Sequence, residues 1–239
     1  MKRRLQAVGR TLHPAIYSLT PRHLVGRNAK RKQLELFADK VGMVYFGGVS
    51  QQSDEHHIVR GLTVSNKHRD DHYCVGTYRT YDVIFVERTD TILTNHTHTW
   101  HIFEIDLKSR NDVPHMFIGS GTHGLGFHSL LKAKYPTLTP APLNTLAKYP
   151  DSFTHNFDLF VTPSHAIAAE QIIDTKVAEL IGTHCKGLVF EITPDSVFVY
   201  SEKPHLSESL LETMLANGVW LANTCLLYTS PSPRDRQKS

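Results

Sequence analysis

Between residues 73 and 200 the chain repeatedly alternates short apolar runs with short polar turns, and this pattern limits its fold more than any other feature. Tyr73–Tyr78 and Val83–Glu87 face each other across Arg79–Asp82, and Thr99–Leu107 and Val113–Ile118 across Lys108–Asp112. Lys186–Ile192 and Ser196–Tyr200 flank Thr193-Pro194-Asp195, where proline supplies the φ that a tight turn needs. Strands this close in sequence pair antiparallel, because a parallel connection needs a dozen or more residues. Further strands are read at Val44–Phe46, Ile58–Val64 and Phe157–Val161, and Gly76 marks a bulge or a close backbone approach.

Helical spacing appears at Asn28–Val41, with a stripe of Leu34, Phe37, Ala38 and Val41 and Gly42 as the stop, and weakly at Leu125–Lys134. A longer helix is read from Thr162-Pro163 to Gly182, with Ala166, Ala169, Ile173, Val177 and Leu180 on its apolar side and Asp174 on its polar side. A last helix is capped by Ser207 and carries Leu211, Met214, Leu215 and Leu221. Pro136–Pro150 reads as a loop and a possible subdivision. The fold class expected is α+β: antiparallel sheet with helices packed on one face. A chain of 239 residues that is 40% hydrophobic can bury such a core, which excludes disordered, collagen-like and disulfide-scaffold classes.

Charge divides the chain. Residues 1–32 hold Lys2, Arg3, Arg4, Arg10, Arg22, Arg27, Lys30, Arg31 and Lys32 and no acid. This gives a basic arm over 1–27 ahead of a mildly acidic body over 28–224. Leu5, Val8, Leu12, Ile16 and Leu19 recur at helical spacing around Pro14, and no apolar stretch of secretory length follows Lys2. Such an arm suits the anionic face of a membrane, nucleic-acid phosphates, or plain packing on the body. No run of 18 apolar residues is present. Cys225–Asp235, CLLYTSPSPRD, resembles the translation of a sequencing-library adapter, so 225–239 is read as a non-native tail and the natural chain is expected to continue past Thr224. Cys74 and Cys185 then remain, isolated, as in a reduced compartment.

Histidine is abundant at 16 residues and makes surface charge sensitive to pH below about 6.5. Two clusters are candidate metal sites: His68, Asp70 and His72 in a polar connection, and His96 and His98 two apart on an extended segment, with His101 nearby. Neither has an HExxH or paired CxxC pattern. Gly119-Ser-Gly121-Thr-His-Gly124 matches GxGxxG, but no acid follows at ribose-binding distance, so it reads as a glycine turn. No GxSxG elbow is present, Cys74 sits in a strand, and no cofactor is called for.

Phe103-Glu-Ile-Asp-Leu107, Val113-Pro-His-Met-Phe-Ile118, Phe157-Asp-Leu-Phe-Val-Thr-Pro163, Val189-Phe-Glu-Ile192 and Val197-Phe-Val-Tyr200 together resemble an uncharacterised bacterial family, a domain of unknown function, over residues 44–222. The resemblance implies a β-rich body, membrane-spanning segments outside it in some members, and no catalytic residues. The expectation is a non-catalytic binding or scaffolding domain at the cytoplasmic membrane face. The alternatives are a metal-dependent enzyme using a His/Asp cluster and a nucleic-acid binder using the arm.

Overall fold

A computed structural model describes residues 21–48, 59–64, 68–90, 97–108, 113–119 and 131–229. Helix α1 (Pro21–Val41) leads into β1 (Met43–Gly47). The chain continues through β2 (Arg69–Tyr78), β3 (Tyr81–Asp90), β4 (His98–Asp106), β5 (Met116–Gly119) and β6 (Thr139–Pro140). Short helices α2 (Leu143–Leu146) and α3 (Asp151–Thr154) precede β7 (Asp158–Val161), then α4 (Ala166–Ile172) and α5 (Thr175–His184). Hairpin strands β8 (Val189–Ile192) and β9 (Ser196–Ser201) precede α6 (Glu208–Thr229). The strands form one sheet in the order β1-β2-β3-β4-β9-β8-β5-β7-β6, every pair antiparallel. The α+β class is therefore as expected.

The β2–β3 hairpin is tight. Tyr78 pairs with Tyr81, and Arg79 and Thr80 both take positive φ (46° and 76°), the primed-turn geometry that matches strand twist. A Cβ on Gly76 would lie 2.7 Å from Met43 Cα, so the glycine marks a close approach to β1. The bulge falls instead between Asp71 and Cys74, where His72 has φ 59°.

Several expectations change. Thr99–Leu107 and Val113–Ile118 do not pair: β4 lies between β3 and β9, and β5 between β8 and β7. The Leu107 N–H bonds the Asp195 carbonyl at 2.8 Å, which carries the chain past the β8–β9 turn and places β5 beyond that hairpin. The helix read from Pro163 to Gly182 is broken. A 3-10 turn (Pro163–His165) opens it, Thr162 makes no side-chain cap, and the chain breaks at Ile173. Asp174 is a cap rather than a polar-face residue, accepting from Val177 N–H at 2.8 Å, while the Tyr149 hydroxyl satisfies the Ile173 carbonyl at 2.6 Å. Helix α5 runs past Gly182, whose missing Cβ admits the backbone of α3. Within Pro136–Pro150, β6 pairs with β7 and α2 forms. Residues 59–64 form bends and turns rather than a strand, while Ile58, the rest of 49–58 and the GxGxxG stretch after Gly119 lie outside the described residues.

Alternation along the strands gives two cores. On one face Phe85, Phe103, Ile105, Phe190, Val197 and Val199 meet Leu34, Phe37 and Ala38 of α1 and Leu211, Met214 and Leu215 of α6. Gly218 lets α6 settle on Ile105 and Val199, which a Cβ would meet at 2.6 and 2.7 Å. The α6 stretch Glu208–Tyr228 is long and apolar enough to cross a membrane, but 56% of it is buried in the fold, so it serves here as a core helix. It runs past Thr224: Cys225 is buried and the Tyr228 hydroxyl donates to Asp174 at 2.8 Å. On the other face Val86, Trp100, Ile102, Phe117, Phe198 and Tyr200 pack against Val59, Leu62, Leu131 and Leu138.

Candidate functional site

On the second face the fully buried Arg88 and Glu191, together with Lys134, converge on residues 59–64, hereafter the strap. An irregular segment laid on a sheet must satisfy its backbone without a ladder of its own. Among the described residues its one backbone–backbone hydrogen bond is internal, Val64 N–H to the Gly61 carbonyl at 3.3 Å. Side chains hold five of its carbonyls and the Leu62 N–H.

Arg88, at the end of β3, is fully buried. Its Nη2 donates to the Val59 carbonyl at 2.6 Å, and its Nη1 to Thr63 Oγ1 at 3.1 Å and the Arg60 carbonyl at 3.4 Å. Nε and Nη2 also hold Asp70 in a bidentate pair at 2.7 Å each, and the Tyr73 hydroxyl adds a donor at 3.1 Å. At the other end Lys134 Nζ donates to the carbonyls of Gly61 at 2.6 Å, Val64 at 3.3 Å and Leu62 at 3.5 Å. Partial burial lowers the Lys134 pKa, opposed by the nearby Glu191.

Between these cations sits Glu191 of β8, fully buried. It accepts from Leu62 N–H at 2.7 Å and from the Tyr200 hydroxyl at 2.6 Å, and it pairs with His115 Nε2 at 3.1 Å. Burial pushes its pKa up, but the His115 and Tyr200 bonds, with Leu62 N–H, outweigh that and hold the carboxyl below its usual range. Burial and then the Glu191 charge push the Tyr200 and Tyr135 phenols up, so both stay protonated as donors. The Tyr135 ring meets His115 edge-on at 4.4 Å. Gly61 is required beneath this cluster: its φ is +91°, and a Cβ would lie 2.2 Å from the Tyr200 hydroxyl.

The metal candidates do not gather. His68 Nε2 lies 3.9 Å from an Asp70 oxygen that Arg88 already holds, while His72 Nδ1 shares a hydrogen bond with the Tyr45 hydroxyl at 2.7 Å. His98 stacks on Trp100 at 5.8 Å, and His96 lies outside the described residues. Among the described residues no three His, Cys, Asp or Glu side chains are placed to hold a metal. His101 instead meets Glu87 at 3.1 Å on the helix-covered face, where Lys30 of α1 also reaches Glu87 at 2.7 Å. Burial raises the Glu87 pKa, but His101 and Lys30 more than offset it and hold the pKa at about 2. Cys74 and Cys185 are free and buried, with thiols pushed up to about 12 by burial.

Of the basic residues, Lys2, Arg3, Arg4 and Arg10 lie outside the described residues, and Arg22 and Arg27 fall within α1. Lys30 is committed to Glu87 and Arg31 to Glu35 at 2.7 Å, while Lys32 is exposed. Reading the sequence missed Arg88, Lys134, Glu191 and Tyr200. One signal was available: in Val189-Phe-Glu-Ile192 a carboxylate stands among apolar neighbours on both sides, which requires a buried partner.

No family model matches the chain, and no curated protein does. Among solved structures, that of the mycobacterial trehalose monomycolate transport factor A, TtfA, is similar with a TM-score of 0.57 and 12% identity, covering 85% of this chain and 97% of that one. At this identity the likeness is one of fold.

Proposed function

We propose that this chain is a non-catalytic accessory module, a binding or scaffolding domain at the cytoplasmic face of a membrane, held there by its basic N-terminal residues on anionic lipid. The observation that carries the reading is the placement of charge. Nine basic residues and no acid occupy positions 1–32, and those within α1 fall in its first twelve residues, with no acid in the first turn. Cations at a helix N-terminus oppose the helix dipole, and an anionic surface relieves that repulsion. The buried charges of the body, by contrast, hold the chain's own backbone, a clamping role rather than a reactive one. The fold likeness to a protein named as a transport factor supports an accessory role. The resemblance to a bacterial family with membrane-anchored members points the same way.

Co-sedimentation with anionic and neutral vesicles tests this, comparing the native chain with a Lys2→Gln/Arg3→Gln/Arg4→Gln/Arg10→Gln variant. With roughly 1 kcal/mol per basic residue near the surface, the variant should lose at least about tenfold in binding to anionic vesicles. Equal binding of the two chains, or none by either, overturns the reading. Salt-sensitive retention on DNA without vesicle binding replaces it with a nucleic-acid role.

A further inference from the structure

We propose that the strap-covered face is a binding site for a single-chain amphiphile with a carboxylate head, and that residues 59–64 fill it as a built-in stand-in for that ligand. This deepens the accessory-module reading by giving the module a cargo class.

The strap is held as a ligand is held. It pairs with no strand, so the nine-stranded ladder does not depend on it. Two aliphatic side chains, Val59 and Leu62, are fully buried among Tyr73, Val86, Trp100, Ile102 and Phe198, an apolar and aromatic floor that an acyl chain covers equally well. Above that floor the strap presents acceptors to two cations: the Val59 and Arg60 carbonyls to Arg88, and the Gly61, Leu62 and Val64 carbonyls to Lys134.

When the strap leaves, the two cations fare differently. Arg88 keeps its bidentate Asp70, whereas Lys134 loses the Gly61, Leu62 and Val64 carbonyls. A carboxylate is the group that replaces three carbonyls with two oxygens and also neutralises the ammonium. Glu191 loses the Leu62 N–H but stays bound to His115 and Tyr200. Lys134 is exposed while the floor is buried, so the head-binding end lies toward solvent. Strap and ligand compete for one surface, so apparent affinity scales with the fraction of molecules whose strap is displaced.

Trp100 lies in this floor, and Trp220 on α6 is the chain's other tryptophan. In Trp220→Phe protein, quenching of Trp100 by bromine-labelled dodecanoate and by the matching dodecanol reads contact with the site, in solution and without vesicles. Gly61→Ala, which disfavours the strap, should tighten dodecanoate binding by at least about tenfold. Lys134→Gln, chosen in case Gly61→Ala fails to fold, should lower the preference for carboxylate over alcohol to about one. Saturable quenching with both shifts supports the site. Absence of quenching in Trp220→Phe and in both strap-loosened variants overturns it, as does a carboxylate preference unchanged in Lys134→Gln. Because no vesicle is present, loss of the membrane reading leaves this result standing, and the reverse.

Discussion

The two faces of the sheet are covered by different means. On one, α1 and α6 lie across the strands, and nearly every contact is apolar. On the other, among the described residues, an irregular six-residue segment shares the covering with Leu131, Tyr135 and Leu138, and a fully buried arginine, a fully buried glutamate and a lysine hold that segment down. The difference follows from backbone bookkeeping. A helix satisfies its own N–H and C=O groups and needs only an apolar stripe to dock. A strap brings unsatisfied carbonyls into the interior, so charged side chains must come with it. The buried ionic groups of this face therefore answer to the strap's backbone, whereas the His101–Glu87 pair on the helix-covered face holds no backbone of this kind.

Removing Arg88 should have the largest effect. Arg88→Met leaves the buried Asp70 without its guanidinium and is expected to cost about 3–5 kcal/mol in urea unfolding. Adding Asp70→Leu recovers only part, since the Val59 and Arg60 carbonyls stay without their donor. A loss under about 1 kcal/mol would end the clamp argument. On the helix-covered face, Phe37→Ala removes a ring packed edge-on against Phe103 at 6.2 Å and should cost about 3–5 kcal/mol through its cavity. The two variants should part in hydrogen exchange: the Leu62 amide, bound to Glu191, opens early in Arg88→Met and only with global unfolding in Phe37→Ala.

Glu87 shows what an ion pair does on the apolar face. Its folded pKa of about 2 lies below the unfolded value, so its stabilisation is present above about pH 4.5 and is lost as pH falls towards 2, about 3 kcal/mol in all. Glu87→Gln should flatten the stability profile across that window; an unchanged slope would remove Glu87 as its source. The smallest effect is at Gly61. Gly61→Ala should destabilise by about 1–3 kcal/mol, and Tyr200→Phe, by removing the hydroxyl that a Cβ would strike, should make the pair less than additive.

Pattern alone located most elements. Period-two alternation placed the β2–β3 and β8–β9 hairpins, and Ser207 was read correctly as the cap of α6, accepting from Leu210 N–H at 3.1 Å. The strap was misread as a strand because Ile58, Val59, Leu62 and Val64 are apolar, and burial looks the same in sequence whether ladder or side chain satisfies the backbone. The metal reading of His68, Asp70 and His72 arose from closeness in sequence. The bulge at His72 turns neighbours into different surroundings, Asp70 to Arg88 and His72 to Tyr45.

Local chemistry thus determined which stretches become strands, where tight turns fall, and that charge collects at the N-terminal end, since each depends on residues a few positions apart. Which strands become neighbours, and which ionisable groups meet, was decided only by the tertiary structure. Glu191 reaches Leu62 across 129 positions of sequence and His115 across 76, and no spacing rule encodes a pairing that sheet order alone creates.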